Sequence, residues 1–257
     1  MATTNDVWFL GGPAPAEADL VLFCVPHAGG GGVGYKPWSA MLPASVHVQP
    51  VQLPGRETRA AEAPDFDPAD LARALAARAG GLPYAIYGHS MGGVLAQEAV
   101  RELMRLGEKL PERLVVGASH PPHVESAWIG RWRSLRDEEL LEEIIALGGT
   151  PEVVRRHPRL RDRLVRVLRA DVGWLSGYRL PPAEEMPREL PVPIAAIAGA
   201  RDPIAPPEAM AAWRDLTSVG FALTVIDAGH FFHLDAPAEI AGLLQAGPAP
   251  ARTPAGP

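Results

Sequence analysis

The sequence alternates between two kinds of segment. Six short apolar runs, at 20–25, 46–52, 84–87, 114–118, 192–198 and 221–226, are separated by stretches with helical spacing of apolar residues. That alternation is the pattern of βα units wound around a parallel sheet, and few other architectures satisfy it. Most runs are continuously apolar, as strands covered by helices on both faces must be. Helices are expected at 68–79, 91–106, 207–216 and 237–245; in the second, Val94, Leu95, Ala99 and Leu103 fall near one face. The fold class that follows is α/β, a mostly parallel central sheet flanked by helices. One such domain fills residues 1–246 of the 257 without a second.

The rhythm breaks between about 127 and 190. That segment is too long for a single crossover and holds no convincing strand; 136–147 and 151–176 read as helices. A helical insertion between two strands is expected to sit over their carboxyl ends as a lid. The tail, 247–257, is Pro, Ala and Gly with one arginine, and is expected to be disordered.

Composition removes several functions. The 24 basic against 30 acidic side chains give a net charge of −6, the wrong sign for a protein that coats nucleic acid. No stretch approaches the ~20 apolar residues of a membrane span. Residues 1–10 lack a basic region ahead of an apolar one, so no signal peptide is visible and a cytoplasmic monomer is expected. Cys24 is alone, which excludes an internal disulfide and a thiolate zinc framework; in its apolar run it reads as a core thiol.

Gly88-His89-Ser90-Met91-Gly92 is a G-x-S-x-G motif whose context matters more than its letters. It follows one apolar run and opens a helix, the strand–turn–helix of a nucleophile elbow. There a serine hydroxyl stands exposed at a helix N-terminus, where backbone N–H groups favour negative charge. A serine nucleophile needs a base, and the base an orienting acid. His230, in Gly229-His230-Phe231-Phe232 after the last strand, is the candidate base, and Asp202, in Arg201-Asp202-Pro203 after the fifth, the candidate acid. Asp227 and Glu125 compete for the acid's place, while His233 is expected to lie in the next helix and face elsewhere.

Attack on an ester or thioester creates an oxyanion that needs preorganised donors. Met91 N–H, directly after the nucleophile, is one candidate. Ala28 N–H is the other, from the loop Pro26-His27-Ala28-Gly29-Gly30-Gly31-Gly32. No G-K-[ST] follows those glycines, so they do not read as a phosphate loop. His120-Pro-Pro-His123 lacks the further ligands of a metal site.

These residues together resemble the stand-alone type II thioesterases of polyketide synthases and nonribosomal peptide synthetases. The resemblance runs to about residue 246. It rests on Pro26-His27-Ala28-Gly29-Gly30, Leu53-Pro54-Gly55-Arg56-Glu57, the elbow, Leu147-Gly148-Gly149-Thr150-Pro151, Arg201-Asp202-Pro203 and Gly229-His230-Phe231-Phe232. It implies an α/β-hydrolase fold with a helical lid. It also implies hydrolysis of acyl groups from the phosphopantetheine arm of acyl or peptidyl carrier proteins, for editing or release. No metal or organic cofactor is implied, since the pantetheine arrives on the substrate. The sequence departs from the family at Gly31-Gly32-Val33-Gly34, where serine or alanine is common.

Three finer expectations follow. The apolar side chains of the insertion, Trp128, Trp132, Leu141, Ile144, Ile145, Leu147, Leu168, Trp174 and Leu175 among them, are expected to set acyl-chain length. His27 braces the glycine loop and, with Trp174 and Phe231, is expected to meet the substrate. Arg155, Arg159, Arg163 and Arg166 recur at helical spacing, opposite Leu160, Leu164, Val167 and Leu168. That basic stripe is expected to face water and to receive an acidic carrier protein.

Overall fold

The apolar runs form strands whose successive side chains enter two separate cores, one on each face of the sheet. Val21, Phe23 and Val25 join one core with Ile86, Val116 and Ala196, while Leu22 and Cys24 join the other with Tyr87, Val115 and Ile197. The computed structural model describes residues 6–150 and 152–246; the tail at 247–257 lies outside the described residues. The strands are β1 (Leu20–Val25), β2 (Val46–Pro50), β3 (Tyr84–His89), β4 (Arg113–Gly117), β5 (Ile194–Gly199) and β6 (Phe221–Ile226). They lie in the order β2-β1-β3-β4-β5-β6, with every neighbouring pair parallel. The Cys24 thiol is buried, and desolvation raises its ionisation well above the ordinary range, as befits a packing residue.

In chain order the helices are α1 (Pro68–Ala79), α2 (Met91–Leu106), α3 (Ala127–Ser134), α4 (Asp137–Ala146), α5 (Glu152–Arg156), α6 (Pro158–Gly177), α7 (Pro207–Ala211), α8 (Phe232–Asp235) and α9 (Pro237–Ala246). Three depart from the sequence reading. The helix expected over 151–176 is two, because Pro158 forces His157 into extended backbone (φ −112°, ψ 109°) and itself starts α6. The helix expected over 207–216 is α-helical only in α7 and continues as a 3₁₀ turn, Ala212–Leu216. Helix α3, with Gly130 in its middle, was not expected.

The helices α3–α6 form the lid, with a small core of their own. Trp132, Leu140, Leu141, Ile144, Leu168 and Val172 are buried together, and Ile204 from beyond β5 closes the cluster. Beneath the lid, β1 lies between β2 and β3, so the chain's connections run outward in opposite directions from this point. The crevice at such a reversal, beyond the carboxyl ends of the strands, is where parallel α/β sheets bind ligands. The loops leaving β1 and β3 carry Ala28 and Ser90 into it.

Candidate active site

Ser90 occupies the sharp turn between β3 and α2 with φ 53° and ψ −120°, a conformation that costs about 1–3 kcal/mol outside glycine. Its surroundings impose that strain. Ser90 N–H donates to Gly117 O at 2.8 Å, and Gly93 N–H to Ser90 O at 2.9 Å. A Cβ on Gly88 would stand 2.2 Å from Gly92 O, and one on Gly92 2.3 Å from Val25 O, so only glycine lets strand and helix meet this closely.

His230 and Asp202 converge on this hydroxyl. His230 Nδ1 donates to Asp202 Oδ2 at 2.8 Å, which leaves Nε2 as the acceptor facing Ser90 Oγ at 3.1 Å. Both residues are 3% exposed. The other carboxylate oxygen of Asp202 accepts from Ile204 N at 2.8 Å and Ala205 N at 3.2 Å, so the loop after β5 holds the acid in one orientation. The rival acids lie elsewhere: Asp227 is exposed and paired with Arg201, and Glu125 is exposed beyond β4. Among the described residues no group of His, Cys, Asp and Glu has metal-binding geometry; His123 instead has Nε2 3.5 Å from Asp215.

The glycine loop makes a tight turn in which Gly30 N–H donates to His27 O at 2.9 Å and Gly29 takes φ 76°. Neither Ala28 N–H nor Met91 N–H has a protein acceptor among the described residues. A Cβ on Gly30 would strike the His27 ring at 2.6 Å, so that ring fills the space under the turn. The turn is also tied to the lid. Asp171 of α6, fully buried, accepts from Gly29 N–H at 2.8 Å and from both terminal nitrogens of Arg56 at 2.8 Å. In the sequence Arg56 stands out only as part of its motif, and Asp171 not at all. A single acid between Val167, Leu168 and Val172 on the apolar face of α6 was the available signal.

A stack of buried histidines was also missed. His89 Nε2 donates to the His230 carbonyl at 2.8 Å while its Nδ1 accepts from Tyr87 OH at 2.8 Å, anchoring the backbone of His230 from below. His233, expected to face elsewhere, is buried with its ring 3.6 Å from that of His89, because α8 turns it inward. Desolvation, reinforced by the neighbouring imidazoles, lowers the pKa of His89 and His233 well below the ordinary value. Desolvation, then His230 and Arg56, lowers that of His27 to about 3. These three rings are therefore neutral at neutral pH.

Beside the turn, a chamber of about 450 Å³ opens between the glycine loop and the lid. Its walls include His27, Ala28, Phe231, Ile144, Leu160, Leu164 and Val167. His27 and Phe231 thus both face this chamber. Trp174 does not line this chamber: it packs on Phe66 and Tyr178, with ring centroids 5.3 and 5.4 Å away, against the core of the main domain. Trp132, Leu141 and Leu168 are absorbed by the lid's own core, and Leu160 and Leu164 take the wall positions expected of them. The arginine stripe is corrected too. Arg155 lies on α5 and the others on α6, so the four do not share one helix. All four are exposed, but Arg163 edges the chamber and Arg166 donates to Ala60 O at 3.2 Å.

A fully parallel sheet with a serine elbow, a histidine beyond its last strand and a helical lid defines an α/β hydrolase. The chain belongs to the thioesterase domain family, whose model matches residues 21–246. Within it the likeness runs to the type II thioesterases of polyketide and nonribosomal peptide pathways. BorB, the type II thioesterase from the borrelidin biosynthetic cluster, is 36% identical with a TM-score of 0.79, over 95% of this chain and 99% of that one. RedJ, the thioesterase from the prodiginine pathway in Streptomyces coelicolor, is 34% identical with a TM-score of 0.78, over 92% and 90%. By sequence, the gramicidin S biosynthesis protein GrsT of Aneurinibacillus migulanus is 32% identical over 228 residues, 88% of this chain and 87% of that one. No helix among the described residues is long and apolar enough to cross a membrane.

Proposed function

We propose that this thioesterase clears acyl groups from the phosphopantetheine arm of acyl or peptidyl carrier proteins through an acyl-enzyme on Ser90. The observation that carries this reading is the continuous hydrogen-bonded line from Ser90 Oγ through His230 to Asp202. His230 Nε2 takes the hydroxyl proton as Oγ attacks the thioester carbon, and Asp202 holds the ring in the tautomer that makes this possible. The oxyanion meets the unengaged N–H groups of Ala28 and Met91. The carrier thiol leaves with the proton from His230. Water, deprotonated by the same imidazole, then attacks the acyl-enzyme and frees the acid. The acyl chain lies in the apolar chamber beside Ala28, and the reaction calls on no cofactor beyond the arm that the substrate brings.

The test is mass spectrometry of a carrier protein bearing varied acyl groups, before and after incubation with the protein. Loss of the acyl mass, a transient acyl adduct on the peptide containing Ser90, and slower hydrolysis of a plain nitrophenyl ester are expected. Rapid hydrolysis of the nitrophenyl ester with the carrier protein untouched would assign the site to a general carboxylesterase.

A further inference from the structure

We infer that Asp171, neutralised by Arg56, is a positioning residue of the oxyanion site, so that seating the lid and completing the oxyanion site are one event. The inference rests on the reading of Ala28 N–H as an oxyanion donor. The turn that carries this donor is held at three points. Gly30 N–H closes it on His27 O at 2.9 Å, Arg56 Nη1 donates to Gly30 O at 3.1 Å, and Asp171 Oδ2 receives Gly29 N–H at 2.8 Å. Two of the three come from the buried pair, and one partner of that pair belongs to the lid helix α6.

Contact between lid and turn is direct. A Cβ on Gly29 would stand 2.7 and 2.9 Å from the side chains of Leu168 and Leu164, so glycine here lets α6 rest on the turn. Arg56 and Asp171 have side chains 5% and 0% exposed. Lifting α6 separates two desolvated charges and removes the acceptor of Gly29 N–H at the same moment. A turn freed in this way no longer fixes the adjoining Ala28 N–H. Displacements of about 1 Å at such a donor cost on the order of 100-fold in rate.

The experiment replaces the pair by apolar residues of similar size, Arg56→Met with Asp171→Leu. This removes the clamp without stranding a buried charge, and such exchanges commonly leave stability intact. With an acyl-pantetheine substrate, kcat is expected to fall about 100-fold while KM stays close to wild type, the mark of a loss confined to the transition state. Unchanged kcat in the folded variant overturns the inference. So does a raised KM with kcat intact, which would reduce the pair to a support for the acyl chamber. Should the double variant melt early, Asp171→Asn, which keeps the volume, is judged by the same criteria. Amide exchange of Ala28, Gly29 and Gly30, measured without substrate, reads the clamp independently of catalysis. Selective loss of protection there supports it, and unaltered exchange overturns it. A Ser90→Ala protein that still hydrolysed the substrate would instead strike the acyl-enzyme reading, with amide exchange still deciding the clamp.

Discussion

The triad and the lid above it are built in opposite ways. Ser90, Asp202 and His230 all leave carboxyl ends of strands in one parallel sheet, and backbone hydrogen bonds fix each of their loops. The lid keeps most of its apolar surface to itself, around Trp132, Leu140, Leu141 and Val172. It reaches the body through polar points, Trp128 to Pro203 O, Arg166 to Ala60 O and Asp171 to Arg56, and through the apolar contacts of Leu164 and Leu168 with Gly29 and of Trp174 with Phe66. The difference teaches where each property is stored. The loops of Ser90, Asp202 and His230 are held by the sheet itself, whereas the lid is a separate small core that meets the site chiefly where Asp171 grips the glycine turn.

Changes on the sheet side break activity most. Ser90→Ala is expected to lower kcat by on the order of 10⁶ with the melting temperature nearly unchanged, and Asp202→Asn by on the order of 10⁴, both read by steady-state hydrolysis. If substitution of Glu125 or Asp227 were the severe change, the acid would sit after another strand.

The lid responds differently, and its two classes of apolar residue separate. Leu160→Phe, in the chamber wall, is expected to lower kcat/KM for octanoyl relative to acetyl substrates by about 10-fold or more, with stability little changed. Trp174→Ala, outside the chamber, is expected to do the reverse, costing about 3 kcal/mol in urea unfolding with chain preference intact. Equal loss on both substrates from Leu160→Phe would move the acyl site elsewhere.

Acid sharpens the comparison from beneath the triad. His27, His89 and His233 have folded pKa values below the unfolded value, so the unfolded chain binds more protons as pH falls past about 6.5. Their contribution is fully present above that pH and is lost below it, by up to about 1.4 kcal/mol per histidine per pH unit. Urea midpoints between pH 7 and pH 5 are expected to drop steeply, and less steeply in His233→Phe. Identical slopes in the two proteins would mean that His233 is not the desolvated neutral ring described.

The smallest effect is expected at the docking surface proposed for the carrier. Arg159→Glu is expected to raise KM for an acyl-carrier protein by about 2- to 5-fold, as befits one exposed charge, and to leave acyl-pantetheine hydrolysis unchanged. Arg163 is the poorer probe because it also edges the chamber. An equal response from both substrates would remove Arg159 from docking.

Local signals made most of the sheet legible. Strands at 20–25 and 221–226 and helices at 68–79 and 91–106 match the structure residue for residue, because continuous apolar runs, the Asp67 cap and glycine stops are all local. The elbow was legible for the same reason. Pro158 was legible as well, yet the helical periodicity on either side of it masked the break. What the sequence could not expose was pairing at long range. Arg56 and Asp171 are 115 positions apart, and nothing near either one announces the other. The histidine stack likewise gathers residues from three separate motifs, and only the inward turn of α8 brings His233 to His89.

The left-handed backbone of Ser90 has a consequence for stability as much as for chemistry. The fold is held under tension at the residue proposed as the nucleophile. Ser90→Gly should therefore melt above Ser90→Ala although both are inactive, since only glycine relaxes at φ 53°. A difference of about 1 kcal/mol would appear as some 2–4 °C. The hydroxyl proposed for the chemistry is thus carried at a standing cost in stability, which glycine at the same turn would not bear.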